Sequence, residues 1–246
     1  MSKPGEDDFY VGYMKEAAPD LARAVRTKII GMFVIIITVA VAFAISQRNI
    51  GSGVFEFGSP RSFTGVVSAK PYPNLLVMEG DQFVRHHLVG FGKAGAAVDG
   101  FDGKMVSLEG TVVRRDDQVM LEIVPGTLTE TAGEPTVDSG VKSLGTHTFV
   151  GEIVDSKCYL GVMNPGNLKT HKACAIRCIS GGVPPVLLVR DSAGMAAYLM
   201  LVSSDGAPVN DQVLDLVAEP VRIHGAVERR DNLLYLKADP SSYERL

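Results

Sequence analysis

Gly103–Ile123 reads GKMVSLEGTVVRRDDQVMLEI, and Ala218–Ala238 reads AEPVRIHGAVERRDNLLYLKA. Aligned without gaps, Val106 meets Val221, Gly110 meets Gly225, Val112 meets Val227, and Arg114-Arg115-Asp116 meets Arg229-Arg230-Asp231. In the first copy Val106, Leu108 and Val112 alternate with polar residues before a charged turn, and Val119, Leu121 and Ile123 do so after it. A period of two marks half-buried strands, here a pair joined as a hairpin. Its Arg-Arg-Asp tip reads as a solvated turn.

The match extends upstream. Ser62–Val67 (SFTGVV) precedes Ala69-Lys70-Pro71-Tyr72, and Thr148–Val154 (TFVGEIV) precedes Ser156-Lys157-Cys158-Tyr159, with one residue of slippage. One small β domain is therefore duplicated. Five or so short strands per copy, with glycines where a strand bends sharply, suit a small closed or half-closed barrel of the OB type, with a two-sheet sandwich as runner-up. The fold expected is mainly β: a single N-terminal transmembrane helix followed by two tandem small OB-like β-barrel domains, at 62–126 and 148–246. Residues 48–61 and 127–147 read as linkers, the second rich in Thr, Gly, Ser and charge.

The helix comes from Ile29–Gln47, nineteen uncharged residues between Lys28 and Arg48. At 1.5 Å per residue they reach about 28 Å, close to a hydrocarbon core of roughly 30 Å. Ala42-Phe43-Ala44 has the small-x-small form of a signal-peptide cleavage site, but 28 residues precede the apolar run and the run exceeds the usual length of such signals, which favours a retained anchor. Arg23, Arg26 and Lys28 before the span, against Arg48 after it, put residues 1–28 in the cytoplasm and the bulk of the chain in the periplasm or outside the cell. Asp20 after Pro19 reads as the N-cap of a short helix running into the span.

The 246 residues carry 24 Lys and Arg against 28 Asp and Glu, a net charge of -4, which argues against a nucleic-acid partner. No Trp and 7% aromatic residues argue against a sugar- or peptide-binding surface.

The chemistry-bearing residues belong to the second copy. Gly65 and Gly110 are 45 residues apart, whereas their counterparts Gly151 and Gly225 are 74 apart, and the excess coincides with all three cysteines. The segment reads Asp155-Ser156-Lys157-Cys158-Tyr159, then His171-Lys172-Ala173-Cys174-Ala175-Ile176-Arg177-Cys178, and closes on Gly181-Gly182. With Thr170 as N-cap and the glycine pair as stop, His171, Cys174 and Cys178 fall on one face of a short helix, and Ile176 and Ile179 project elsewhere to pack on the barrel. Cys158 opposite that face would complete a four-ligand set for zinc or copper, although C-x15-C-x3-C lacks the C-x2-C knuckle of common zinc sites. Outside the cytoplasm two of the three thiols could instead form a disulfide and leave one spare. A catalytic thiol is a third reading, with Lys157, His171, Lys172 and Arg177 as positive neighbours.

The run Asp155-Ser-x-Cys158, then Cys174-x3-Cys178-x2-Gly181-Gly182 and the strand Val186–Val189, resembles a group of uncharacterised bacterial exported domains with a D-S-x-C…C-x3-C-x2-G-G pattern. The resemblance covers roughly residues 148–240 and implies an OB-like fold and bacterial export, with no activity to carry over. This chain departs from it by being duplicated, membrane-tethered and free of the motif in its first copy.

Elsewhere, adjacent His86 and His87 point to opposite strand faces and read as packing, as does His224. Gly90–Ala96 (GFGKAGA) lacks phosphate-loop spacing. With no enzyme motif, the sequence favours a membrane-anchored, non-enzymatic accessory or assembly subunit of a bacterial membrane complex, possible respiratory ones included. Its expected company is the membrane and other membrane-protein subunits, with no obvious small-molecule substrate. The alternative is a metal- or cofactor-binding redox protein using Cys158, His171, Cys174 and Cys178.

Overall fold

A computed structural model describes residues 17, 19–46, 53–80, 82–133 and 140–246. Helix α1 (Pro19–Ser46) belongs to one unit of the chain and Gly51–Leu246 to another. None of the side chains of α1 is buried against protein, and the helix is long and apolar enough to cross a membrane. It begins at Pro19, with Asp20 in its first turn instead of capping it, and the apolar run continues the same helix. Thr27 and Thr38 donate their hydroxyls to the carbonyls of Arg23 and Val34, at 2.9 and 2.8 Å. Both hydroxyls are thus satisfied within the helix, and for Thr38, inside the apolar run, this is what a lipid environment would require.

The first barrel is built from β1 (Val54–Phe55), β2 (Arg61–Ser68), β3 (Asn74–Glu79), β4 (Gln82–Val89), β5 (Met105–Arg115), β6 (Gln118–Ile123) and β7 (Thr129–Glu130). Strand β2 pairs with β3 and β5, β3 with β4, β5 with β6, and β4 lies parallel to β6, so five strands close on themselves. The second barrel repeats this order with β8 (Val141–Asp155), β9 (Pro185–Arg190), β10 (Ala196–Val202), β11 (Pro220–Arg230) and β12 (Leu233–Lys237), again with one parallel pair, β10 with β12. A short β13 (Glu244–Arg245) pairs with β11. These are two tandem five-stranded OB-like barrels. The alternating residues of the repeat fill them: Val106, Leu108, Val112 and Leu121 in one core, Val221, Ile223, Val227 and Leu236 in the other. Gly65 and Gly151 hold matching places. A Cβ on Gly65 would sit 2.3 Å from the Leu76 carbonyl oxygen and one on Gly151 2.5 Å from that of Leu188, so each first strand can coil over its neighbour only without a side chain.

Parts of the two tracts read as linkers are strand. Val54 pairs with Arg114, which ties β1 to the first barrel, and β8 starts at Val141, where Val141–Ser143 pair with Glu228–Arg230. Polar composition concealed this because an exposed ribbon needs no apolar alternation.

The hairpin tips are only in part solvated, and this corrects the sequence reading: Arg114, Asp116 and Arg229 are exposed, but Arg115 is buried and the Asp231 carboxylate is buried against Arg85. Each tip docks on the other barrel. Arg85 on β4 pairs with Asp231 at 2.7 Å, their side chains only 5% and 4% exposed, and its backbone exchanges hydrogen bonds with the Asn232 side chain. Reciprocally, Arg115 donates to the Tyr159 carbonyl at 2.7 Å and stacks 4.5 Å above the Tyr159 ring. Tyr72 donates to the Leu201 carbonyl at 2.8 Å and accepts from the Val209 amide at 3.1 Å. Buried charges left without partners would be costly, so these pairs fix how the barrels meet.

Candidate metal centre

Strand β8 ends at Asp155, whose Oδ1 accepts the Cys158 amide at 2.8 Å and so turns the chain inward at the first cysteine. A single wide turn, Cys158–Val162, follows and is closed by the Met163 amide on the Cys158 carbonyl at 3.1 Å. The chain returns through a 3-10 turn, Lys169–His171, into α2 (Lys172–Ser180). Thr170 does not cap this helix. His171 occupies that place, makes no side-chain cap, and uses its imidazole elsewhere: Nε2 meets Asp155 Oδ2 at 3.0 Å, with both side chains buried. Ala175 and Ile179, with Ile176 alongside, pack α2 into the second barrel's core as expected.

This docking brings the cysteines together. Cys158 Sγ lies 4.0 Å from Cys174 Sγ and 3.9 Å from Cys178 Sγ. A disulfide requires about 2.05 Å, so the disulfide reading is overturned: all three thiols are free. Two thiolates bound to one ion at about 2.3 Å in a tetrahedron stand about 3.8 Å apart, close to both separations. Donor atoms of Cys158, His171 and Cys174 all lie within 4.8 Å of one another, as do those of Asp155, Cys158 and Cys178. The four residues singled out from spacing therefore fall into two overlapping groups that share Cys158, one with His171 and Cys174 and the other with Cys178 and the added Asp155. A carboxylate on a histidine's far nitrogen is a common way to fix the tautomer of a metal-binding imidazole, and Asp155 is placed to do this.

Cys158 and Cys178 are buried and Cys174 is half-buried. The hydrogen bond shared with Cys178, then burial, pushes the Cys158 thiol up, while the same bond pulls Cys178 down.

One participant comes from the first barrel. Lys93 Nζ lies 2.7 Å from Cys174 Sγ and 3.9 Å from Cys178 Sγ, and the contact with Cys174 raises the pKa of its ammonium. Lys93 sits in the Gly90–Ala96 loop that failed as a phosphate loop. Lys157, itself buried, holds this loop by donating to the Gly90 and Gly92 carbonyls at 2.9 and 2.6 Å, and it also pairs with Glu122 of the first barrel. The Gly95 amide donates to the Gly181 carbonyl at 2.8 Å, and a Cβ on Gly181 would fall 2.0 Å from the Lys93 carbonyl oxygen. Gly181-Gly182 thus ends α2 and also admits the neighbouring loop.

The other histidines stay apart from the centre. His86 contacts Glu79 at 2.9 Å, and His87 lines a cavity of about 10 Å³ with Gln118, Ser156 and Tyr198. His224 meets the Thr148 hydroxyl at 2.8 Å on an exposed ladder. Asp155 had a local signal, an acid three residues before Cys158, whereas Lys93 had none, being 81 residues from Cys174. No protein-family model matches this chain, and neither does any curated protein sequence.

Proposed function

We propose that this chain is a membrane-tethered envelope protein whose second barrel holds a soft metal ion, zinc or copper, through Cys158, Cys174 and Cys178 with His171 as the nitrogen donor. One observation carries the reading: the Cys158 thiol lies within 4.0 Å of both Cys174 and Cys178, which come from a helix 16 to 20 residues on, and the His171 imidazole joins Cys158 and Cys174 within 4.8 Å. Thiolate ligands select soft or borderline ions over calcium or magnesium. Asp155 would hold the imidazole in register, and the half-buried Cys174 would be the side of entry. Helix α1 anchors the barrels, with residues 1–28 in the cytoplasm and the barrels outside. The protein acts there as an accessory subunit that stores or passes the ion within a membrane complex.

Elemental analysis of full-length, tag-free protein in detergent tests this. About one zinc or copper per chain is expected, lost when Cys174 and Cys178 are both replaced by Ser. Metal-free protein that takes up neither ion, with three titratable thiols, overturns the metal reading. Protease treatment of spheroplasts tests orientation: digestion of the barrels from outside is expected, and protection of them overturns it.

A further inference from the structure

The Lys93–Cys174 separation of 2.7 Å is at the short end of the about 2.7–3.2 Å range for N–H donors on oxygen. Sulfur is the larger atom, so the pair is closer than a hydrogen bond to sulfur settles. An amine nitrogen and a sulfur at this spacing are joined by a single bridging oxygen atom with little movement of either. The loop carrying Lys93 is held from both ends, by Lys157 on the Gly90 and Gly92 carbonyls and by the Gly95–Gly181 backbone bond. Cys174 is also the half-buried thiol of the three, so an oxidant from solvent reaches it before Cys158 or Cys178.

We infer that Lys93 and Cys174 form an oxidative Nζ–O–Sγ cross-link that locks the two barrels together when metal-free protein meets dioxygen. The Lys93 nitrogen and Cys174 sulfur, which hold three protons between them, react with one dioxygen molecule. An N–O and an O–S bond form and the O–O bond breaks; one oxygen becomes the bridge, and the other leaves as water with two of those three protons. Nitrogen and sulfur each give up two electrons, and dioxygen takes the four. Two equivalents of a dithiol return amine, thiol and water. The link takes Cys174 out of the ligand set, and a metal ion on Cys174 blocks the link. The inference goes beyond the metal reading and does not rest on it.

Full-length protein in detergent, stripped with a chelator, is incubated in air or under argon and weighed intact. In air the expected change is a gain of about 14 Da, rising to about 16 Da with isotopically heavy dioxygen and reversed by dithiothreitol, with peptide mapping that joins Lys93 to Cys174. Lys93→Met and Cys174→Ser each abolish it, and Cys178→Ser keeps it. The inference is overturned by an unchanged mass in air, by a gain that persists in Lys93→Met or survives dithiothreitol, or by a loss of two hydrogens, which marks a disulfide or a direct S–N bond. Metal content is read separately on unstripped protein, so failure here and failure of the metal reading are distinguishable.

Discussion

The two copies meet at reciprocal junctions that differ in what they hold. After its first strand, copy one sends Tyr72 into the second barrel, where it bonds the Leu201 carbonyl and the Val209 amide. At the equivalent place copy two sends Lys157 onto the Gly90 and Gly92 carbonyls and offers the Tyr159 carbonyl to Arg115. The first junction holds this buried hydroxyl beside the Arg85–Asp231 pair and carries no thiol. The second has Cys158 where copy one has Pro71, followed by the inserted segment that returns Cys174 and Cys178 to it. Docking is therefore common to both copies and the thiols are an addition to one of them. The scaffold should tolerate loss of the thiols far better than loss of the docking groups.

The largest effect is expected from Asp231→Ala, which removes the carboxylate facing Arg85 in the buried seam and leaves the neutral Asn74 Oδ1, at 2.9 Å, in its place as a partner. Breaking a buried ion pair in this way costs about 3–5 kcal/mol, read by denaturant unfolding of the full chain. The next concerns pH. Burial, reinforced by neighbouring His86, holds the His87 imidazole down at about 4, whereas an unfolded-chain histidine titrates near 6.5. Between those values the unfolded chain binds a proton that the folded one refuses. Stability is thus full above about pH 6.5 and falls as pH is lowered toward 4, by about 3 kcal/mol at the limit. His87→Gln should flatten that slope.

A smaller loss, about 1–3 kcal/mol, is expected for Tyr72→Phe, which leaves the Leu201 carbonyl and the Val209 amide unpaired at the thiol-free junction. The smallest is Cys174→Ser in metal-free protein, under about 1 kcal/mol because the side chain is half-buried and the change is one atom. A Cys174→Ser loss as large as that of Asp231→Ala would mean that the thiols hold the seam together, and would break the comparison.

What could be read in advance followed from locality. The duplicated hairpins and their alternation announce two barrels because a strand's period is written in consecutive residues, and His171, Cys174 and Cys178 announce a shared face because the first stands at the start of the short helix that carries the other two. The disulfide reading failed because composition reports thiols and compartment but not their separation, which the packing of Ile179 sets at about 4 Å from Cys158. The Arg-Arg-Asp tips resembled solvated turns because a charged tip looks the same whether water or a second barrel receives it. Lys93 was invisible for the same reason: the seam that carries it to Cys174 joins residues 81 apart in the chain.

Every docking group named above lies in residues 61–123 or 141–245, and none in the stretch from Thr131 to Gly140 that connects the copies. Cutting the polypeptide within that stretch would leave every docking group named above on one half or the other, so the halves, produced as separate fragments, are expected to complement each other.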